Sequence, residues 1–318
     1  MSEAPLRALV TGANGFVGRH LLAELRTRGF EAIAAGHSPH GGDYDAAFDL
    51  HDPAGMARVV EAARATVVFH LAAQAFVPTA TADPLETYEI NALGTARLVE
   101  AIRRLPAASQ PKLLYVSSAE VYGAHDPSEL PLRESAQPLP ATPYAASKLA
   151  GEAIALASSR TYGFWAIATR AFNHIGPGQN ARFAVAGFAA RIAAIAAGGP
   201  PLLPVGNLES MRDFLDVRDV VRAYVELALH GQSGEVYNVC SGVPTRMSDV
   251  LRQLVMAARV AVEIREDPSL MRPADVRVVY GDNAKLKAAT GWEPTFSLAR
   301  SLRDVYAAAR AAEGVTPE

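Results

Sequence analysis

The apolar run Leu6-Arg7-Ala8-Leu9-Val10 passes directly into Thr11-Gly12-Ala13-Asn14-Gly15-Phe16-Val17-Gly18, and this junction constrains the fold more than any other part of the chain. Beyond it Leu21, Leu22 and Leu25 recur at helical spacing, and Gly29 supplies a stop. A strand, a glycine turn and a helix in that order suit few architectures. Glycines let the main chain approach a pyrophosphate, while the helix start offers free N–H groups and the positive end of its dipole. The spacing G-x-x-G-x-x-G therefore predicts a dinucleotide cofactor held by Gly12, Asn14, Gly15, Phe16, Val17 and Gly18.

A second strand is expected over 30–35, where NAD would require a carboxylate for the adenosine ribose. The chain has Ala35-Gly36-His37-Ser38 there, with no acid. A 2′-phosphate is then tolerated, and His37 and Ser38 offer it hydrogen bonds. NADP(H) is favoured; NAD(H) stays open because no arginine is present, and a plain polar turn is the alternative. In Phe48-Asp49-Leu50, Asp49 with Leu50 either faces the adenine or caps a helix. A strand over 66–74 ends in Leu71-Ala72-Ala73-Gln74, side chains compatible with a cofactor close by, and His70 inside this apolar run reads as a core residue. A helix over 85–105 carries Asn91. A strand over 112–116 then delivers Ser117-Ser118-Ala119-Glu120 to its C-terminal end, the edge at which open α/β sheets bind ligands.

Strands alternating with helices through residue 173 predict an α/β fold, a doubly wound parallel sheet of Rossmann type with a smaller C-terminal lobe. Residues 1–173, with about 211–242, are assigned to the cofactor domain, and 174–210 with 243–318 to the substrate-binding lobe. Residues 217–229 read as a helix, and 235–240 as a buried strand rejoining the sheet with Cys240 as a core thiol.

Tyr144-Ala-Ala-Ser-Lys148 follows a proline-rich loop in a segment of helical composition. Four residues apart, the phenol and the ammonium project from one face. A phenol titrates near ~10 in water, and an adjacent ammonium favours its ionised form, which is expected to bring it towards the working range. On spacing alone, an accidental pair on a surface helix is the competing explanation.

Bulk properties narrow the class. The 318 residues are half hydrophobic and one-fifth charged, with a net charge of −3 and no run of lysine or arginine. Nucleic acid and anionic membranes are not expected partners. A single cysteine excludes an internal disulfide and a cysteine-rich zinc site, and no metal site is expected. The first apolar run ends in a glycine turn rather than a cleavage site, and the longest, 183–197, contains Arg191 and is too short to span a bilayer. A cytoplasmic protein is the expectation.

Taken together, the glycine turn, Ser118 at a strand end, Tyr144-x-x-x-Lys148 and Arg272-Pro-Ala-Asp275 resemble the extended short-chain dehydrogenase/reductase family over nearly the full length. Within it, the runs Phe172-Asn173-His174-Ile175-Gly176-Pro177-Gly178-Gln179, Val205-Gly206-Asn207-Leu208-Glu209, Arg212-Asp213-Phe214 and Tyr237-Asn238-Val239-Cys240-Ser241-Gly242 are similar to those of reductases that take the C4 ketone of GDP-4-keto-6-deoxy-mannose to GDP-rhamnose. The resemblance implies that Tyr144 donates a proton to the C4 oxygen as hydride arrives, that Lys148 lowers the phenol pKa and holds the nicotinamide ribose, and that Ser118 bonds the same oxygen. It implies a GDP-sugar pocket drawing on Asn173, Gln179, Phe183, Arg191, Val205, Arg212, Arg272 and Asp275. The arginines suit a diphosphate and Asp275 a ribose hydroxyl. It also implies a homodimer built on a four-helix bundle from the helices around 89–105 and 144–162.

GDP-mannose 4,6-dehydratases share this architecture. A dehydratase needs an acid and a base beyond the tyrosine, and many sugar-nucleotide dehydratases carry Thr-Asp-Glu where this chain has Ser118-Ala119-Glu120. Ala119 removes the acid and Glu120 remains. GDP-mannose dehydratases also lack the middle Asp, so the runs around Asn173 and Val205 decide for a reductase. The alternatives are a dehydratase or another NDP-sugar epimerase with Glu120 as base, and, more remotely, a non-enzymatic NADP-binding sensor, which would be expected to have lost Tyr144 or Lys148.

Overall fold

The computed structural model describes residues 6–37, 44–271 and 276–313. Ser38, Arg272 and Asp275 therefore lie outside the described residues. The glycine junction folds as strand β1 (Arg7–Thr11), a turn, and helix α1 (Phe16–Thr27), with Leu21, Leu22 and Leu25 on its buried face. β2 (Glu31–Gly36), β3 (Ala46–Ala47), α2 (Pro53–Ala63) and β4 (Val67–His70) follow. The segment expected as one helix over 85–105 is broken: α3 (Val77–Ala82) and α4 (Pro84–Tyr88) lead through a π-helical turn, Glu89–Leu93, into α5 (Gly94–Arg103). β5 (Lys112–Val116), α6 (Pro143–Tyr162) and β6 (Ala166–Ala171) complete the first half.

From residue 173 the chain forms β7 (Asn173–Ile175), α7 (Ala184–Ala196), β8 (Leu202–Val205), β9 (Met211–Asp216), α8 (Val217–His230) and β10 (Val236–Val239). β11 (Pro244–Arg246), α9 (Met247–Ala258), β12 (Glu263–Glu266), β13 (Val278–Val279), α10 (Ala284–Thr290) and α11 (Leu298–Ala312) close it.

The principal sheet has seven strands in the order β10-β6-β5-β4-β1-β2-β3, every neighbouring pair parallel. This is the doubly wound α/β fold, and the order reverses between β1 and β4, where such sheets open a crevice at the strand C-termini. Its central strands are mostly apolar because both faces are covered, with Thr11, His70, Thr169, Arg170 and Asn238 as buried polar exceptions. One core packs α1 and α8 against Val10, Phe69, Leu114 and Ile167; the other packs α2, α5 and α6 against Leu9, Val68, Leu113 and Ala168. Residues 236–239 rejoin this sheet as its edge, and Cys240 is fully buried and unpaired.

β9 joins a second, four-stranded sheet with β7, β11 and β13, although α8 immediately after it packs on α1. β8 and β12 form a further two-stranded sheet. The lobe has its own core, in which α7 packs with α9 and α11 through Phe188, Ile192, Leu251, Leu254, Leu302 and Val305. Most of the long apolar stretch that becomes α7 is consumed there. No described helix is long and apolar enough to cross a membrane. The proline-rich loop before α6 is held by Asn238, which accepts from the Tyr122 hydroxyl at 2.7 Å and donates to the Leu132 carbonyl at 2.9 Å.

Candidate active site

The glycine turn is tight enough to demand its residue types. Gly12 has φ +71°, and a Cβ there would lie 2.8 Å from the Ala72 amide nitrogen. At Gly18 a Cβ would meet the Gly12 carbonyl oxygen at 2.3 Å. Gly15 caps α1 without any side-chain hydrogen bond, and the first turn carries no acid, so its N–H groups and positive dipole end remain available to an anion. Asn14 Nδ2 is buried beside this turn with no partner among the described residues. Buried donors are seldom left unpaired. An uncapped helix start and an orphaned amide in a side-chain-free cradle fit a dinucleotide pyrophosphate.

The floor of the crevice is fixed by polar contacts. Thr11 Oγ1 accepts from the Ala72 amide at 3.2 Å and lies 2.8 Å from His70 Nδ1, while His70 Nε2 lies 3.3 Å from Thr95 Oγ1. His70 is thus a satisfied core residue, and burial brings its pKa down to about 3. Leu71, Ala72, Ala73 and Gln74 are half-buried along this floor, and Leu50 is buried against Gly94. His37 is exposed, with Nε2 3.9 Å from Asp49 Oδ2. Asp49, bonded by the His51 amide at 2.9 Å, is held below the usual carboxylate range. The fold thus brings to His37 a carboxylate that the residues adjoining β2 do not supply.

Tyr144 and Lys148 both lie on α6, which begins with Thr142 accepting from the Ala145 amide and Pro143 in the first turn. Tyr144 is half-buried; withdrawal from water pushes its phenol up to about 12, the Ser118 hydroxyl counteracts in part, and the Glu120 carboxylate adds to the rise. The expectation of a phenol depressed by Lys148 is therefore corrected. The Lys148 ammonium lies 4.7 Å over the Tyr115 ring, and burial brings it down to about 7. Desolvation disfavours both charged forms and is the largest influence on each. Ser118 is buried at the end of β5 and accepts from the Glu120 amide at 3.2 Å; Ala119 is buried and Glu120 exposed. Four predicted residues thus converge: a protonated phenol, a hydroxyl beside it, an ammonium one turn on, and a surface carboxylate.

The lobe residues are more scattered. Asn173 is exposed on β7, and Gln179 Nε2 donates to the His174 carbonyl at 3.0 Å while its Oε1 is buried with no partner among the described residues. Phe183 is the N-cap residue of α7 and meets Phe76 edge to face at 5.8 Å, with the Arg182 guanidinium over both rings. Arg212 lies half-buried on β9. Arg191 donates to the Pro204 carbonyl at 3.0 Å, and Val205 is wholly buried in the lobe core with its carbonyl accepting from the Asp267 amide. Arg191 and Val205 brace the β8 side of the lobe, and the Val205 side chain presents no surface to a ligand.

The GDP-mannose 4,6-dehydratase family model matches residues 9–305. The chain belongs to this family. Within the GDP-mannose 4,6-dehydratase family and its extended short-chain dehydrogenase/reductase surroundings, it is 40% identical over 301 residues to the GDP-6-deoxy-D-mannose reductase of Pseudomonas aeruginosa, covering 94% of this chain and 95% of that one. It is 29% identical to the GDP-6-deoxy-D-talose 4-dehydrogenase of Aggregatibacter actinomycetemcomitans over 95% of this chain and 97% of that one. A structure of Pseudomonas aeruginosa RMD complexed with NADPH superposes with a TM-score of 0.87 at 39% identity, covering 96% of this chain and 99% of the other.

Against this family background, two residues near the phenol had no role assigned from the sequence. Asn91, in the π turn, accepts from the Gln74 amide at 2.8 Å and donates to the Gln74 carbonyl and to Ser147 Oγ, both at 2.9 Å, tying the crevice floor to α6. The signal was an asparagine inside an apolar helix. Tyr115 hydrogen-bonds the Lys148 carbonyl at 3.2 Å and underlies its ammonium, a contact between β5 and α6 that no local pattern announces.

Proposed function

We propose that the protein reduces the C4 ketone of GDP-4-keto-6-deoxy-mannose to GDP-rhamnose with NADPH as hydride donor and NADH as a permitted substitute. The observation that carries this reading is the Tyr144 phenol, kept protonated beside Ser118, with alanine at 119. When bound, NADPH supplies a hydride to C4. The chain's part is the proton. As negative charge grows on the C4 oxygen, Tyr144 gives up its hydroxyl proton, and Ser118 bonds the same oxygen and sets its direction. A phenol that resists ionisation at neutral pH serves as an acid rather than a base. Lys148, while charged, holds the nicotinamide ribose. Gly12, Asn14, Gly15, Phe16, Val17 and Gly18 hold the pyrophosphate, and His37 faces the adenosine ribose.

The lobe supplies the GDP-sugar site in this proposal. Asn173 and Gln179 face the sugar phosphate and Arg212 the diphosphate, while Arg272 and Asp275 are carried over from the family pattern. The same proposal divides the labour between residues 1–173 with about 211–242 and the remainder. It takes the enzyme as a cytoplasmic homodimer pairing through helices around 89–105 and 144–162; exposed Leu85, Leu93 and Tyr162 favour an apolar contact there.

A second reading, GDP-mannose 4,6-dehydratase, is favoured by the family match and by the exposed Glu120 carboxylate next to the phenol. One assay separates the two. Purified enzyme given GDP-4-keto-6-deoxy-mannose and NADPH is expected to consume NADPH and yield GDP-rhamnose by sugar analysis. No NADPH oxidation, together with conversion of GDP-mannose by NADP-loaded enzyme, establishes the dehydratase instead.

A further inference from the structure

Beyond Lys148 lies a buried ion pair that the proposed reaction does not use. Glu152 is one turn further along α6, and Arg170 reaches it from β6: Nη2 donates to Oε1 at 2.6 Å and Nε to Oε2 at 3.2 Å. Glu152 and Arg170 are only 3% and 5% exposed, and Lys148 4%. The guanidinium is further fixed by the Glu134 carbonyl at 3.2 Å and lies 4.7 Å over the Tyr122 ring. Stability alone does not explain such a pair, because apolar side chains of similar volume often replace buried ions at no loss.

Its position is more informative. Lys148 and Glu152 are separated by four residues of helix, so they share one buried face. Lys148 interacts with His70 from β4, Tyr115 from β5 and Glu152 from its own helix, on which Tyr144 stands one turn before it; the π turn packed on α6 brings uncharged Asn91 to Ser147. Glu120, on the turn after β5, acts on Tyr144. Among the described residues Glu152 is the one anion acting on Lys148, and it opposes the effect of burial there. Arg170 occupies both carboxylate oxygens, which prevents Glu152 from swinging away and makes it a fixed charge. We propose that Glu152, clamped by Arg170, is a positioning residue that keeps Lys148 charged and directed at the nicotinamide ribose. This rests on the role given to Lys148 above.

The test is NADPH affinity by titration calorimetry, beside kcat/KM, each against pH, with folding checked by circular dichroism. In Glu152→Gln the alkaline limb of both profiles is expected to move down by about one pH unit, so that affinity at pH 8 drops roughly tenfold while at pH 5.5 it stays close to wild type. Glu152→Asp, which keeps the charge, should return the limb towards its original place. An equal loss at every pH, or the same shift in both variants, makes the pair purely structural and overturns the proposal. If Glu152→Gln does not fold, Glu152→Gln/Arg170→Met removes the stranded guanidinium and is judged by the same criteria. Lys148→Met separates the two levels: it should abolish the limb, and a limb that persists overturns the role of Lys148 itself.

Discussion

At the scale of single residues, the site turns on how one phenol is solvated. Tyr144 and Lys148 are adjacent because an α-helix places i and i+4 on one face, a local rule that the sequence shows directly. Their electrostatics follow from neighbours far along the chain: Tyr115 from β5 lies under the ammonium, and Ser118 and Glu120 lie beside the phenol. Burial pushes the phenol up to about 12 and the ammonium down to about 7, so neither behaves as its spacing alone suggests. Tyr144→Phe removes the proton donor while keeping the ring. Turnover is expected to fall at least ~10²-fold, with NADPH affinity little changed; steady-state kinetics and titration calorimetry check both.

At the scale of elements, the first βα unit is the most legible part of the molecule, since its glycines are required by contacts within one short turn. Gly18→Ala would put a Cβ 2.3 Å from the Gly12 carbonyl oxygen and 2.6 Å from that of Ala13. Forcing the turn apart is expected to cost about 1–3 kcal/mol of stability and to weaken NADPH binding at least tenfold, readable by thermal melting and calorimetry. The helix over 85–105 was less legible. Its apolar periodicity runs through the segment, yet the chain takes a π turn at Glu89–Leu93, which brings Asn91 inward to bond Gln74 and Ser147. Such turns gather at functional sites, and this one depends on polar partners contributed by other elements.

Across the whole molecule, β9 shows how the lobe is secured to the sheet. Asp213 on β9 accepts from the amides of Ser241 and Gly242, just beyond β10, at 2.7 and 2.9 Å. Global stability is also tied to buried bases. His70 has a folded pKa near 3 against an ordinary 6.5, so between these values the unfolded chain binds the extra proton and stability falls as pH falls. Lys148 acts alike between its ordinary 10.5 and about 7. Thermal melts at pH 7 and pH 4 are expected to show a smaller acid loss for His70→Gln than for the wild type.

By itself the sequence determined the strand–turn–helix start, the parallel sheet and the Tyr144–Lys148 face, because each follows from short-range sterics or the period of apolar residues; the family likeness came from the resemblance of its motifs. Tertiary structure alone decided the state of the phenol and ammonium, the carboxylate brought to His37, the placement of β9 in the smaller sheet, and the clamping of Glu152 by Arg170. Those depend on which groups lose water together, and desolvation is a property of packing between distant segments rather than of any one stretch of chain.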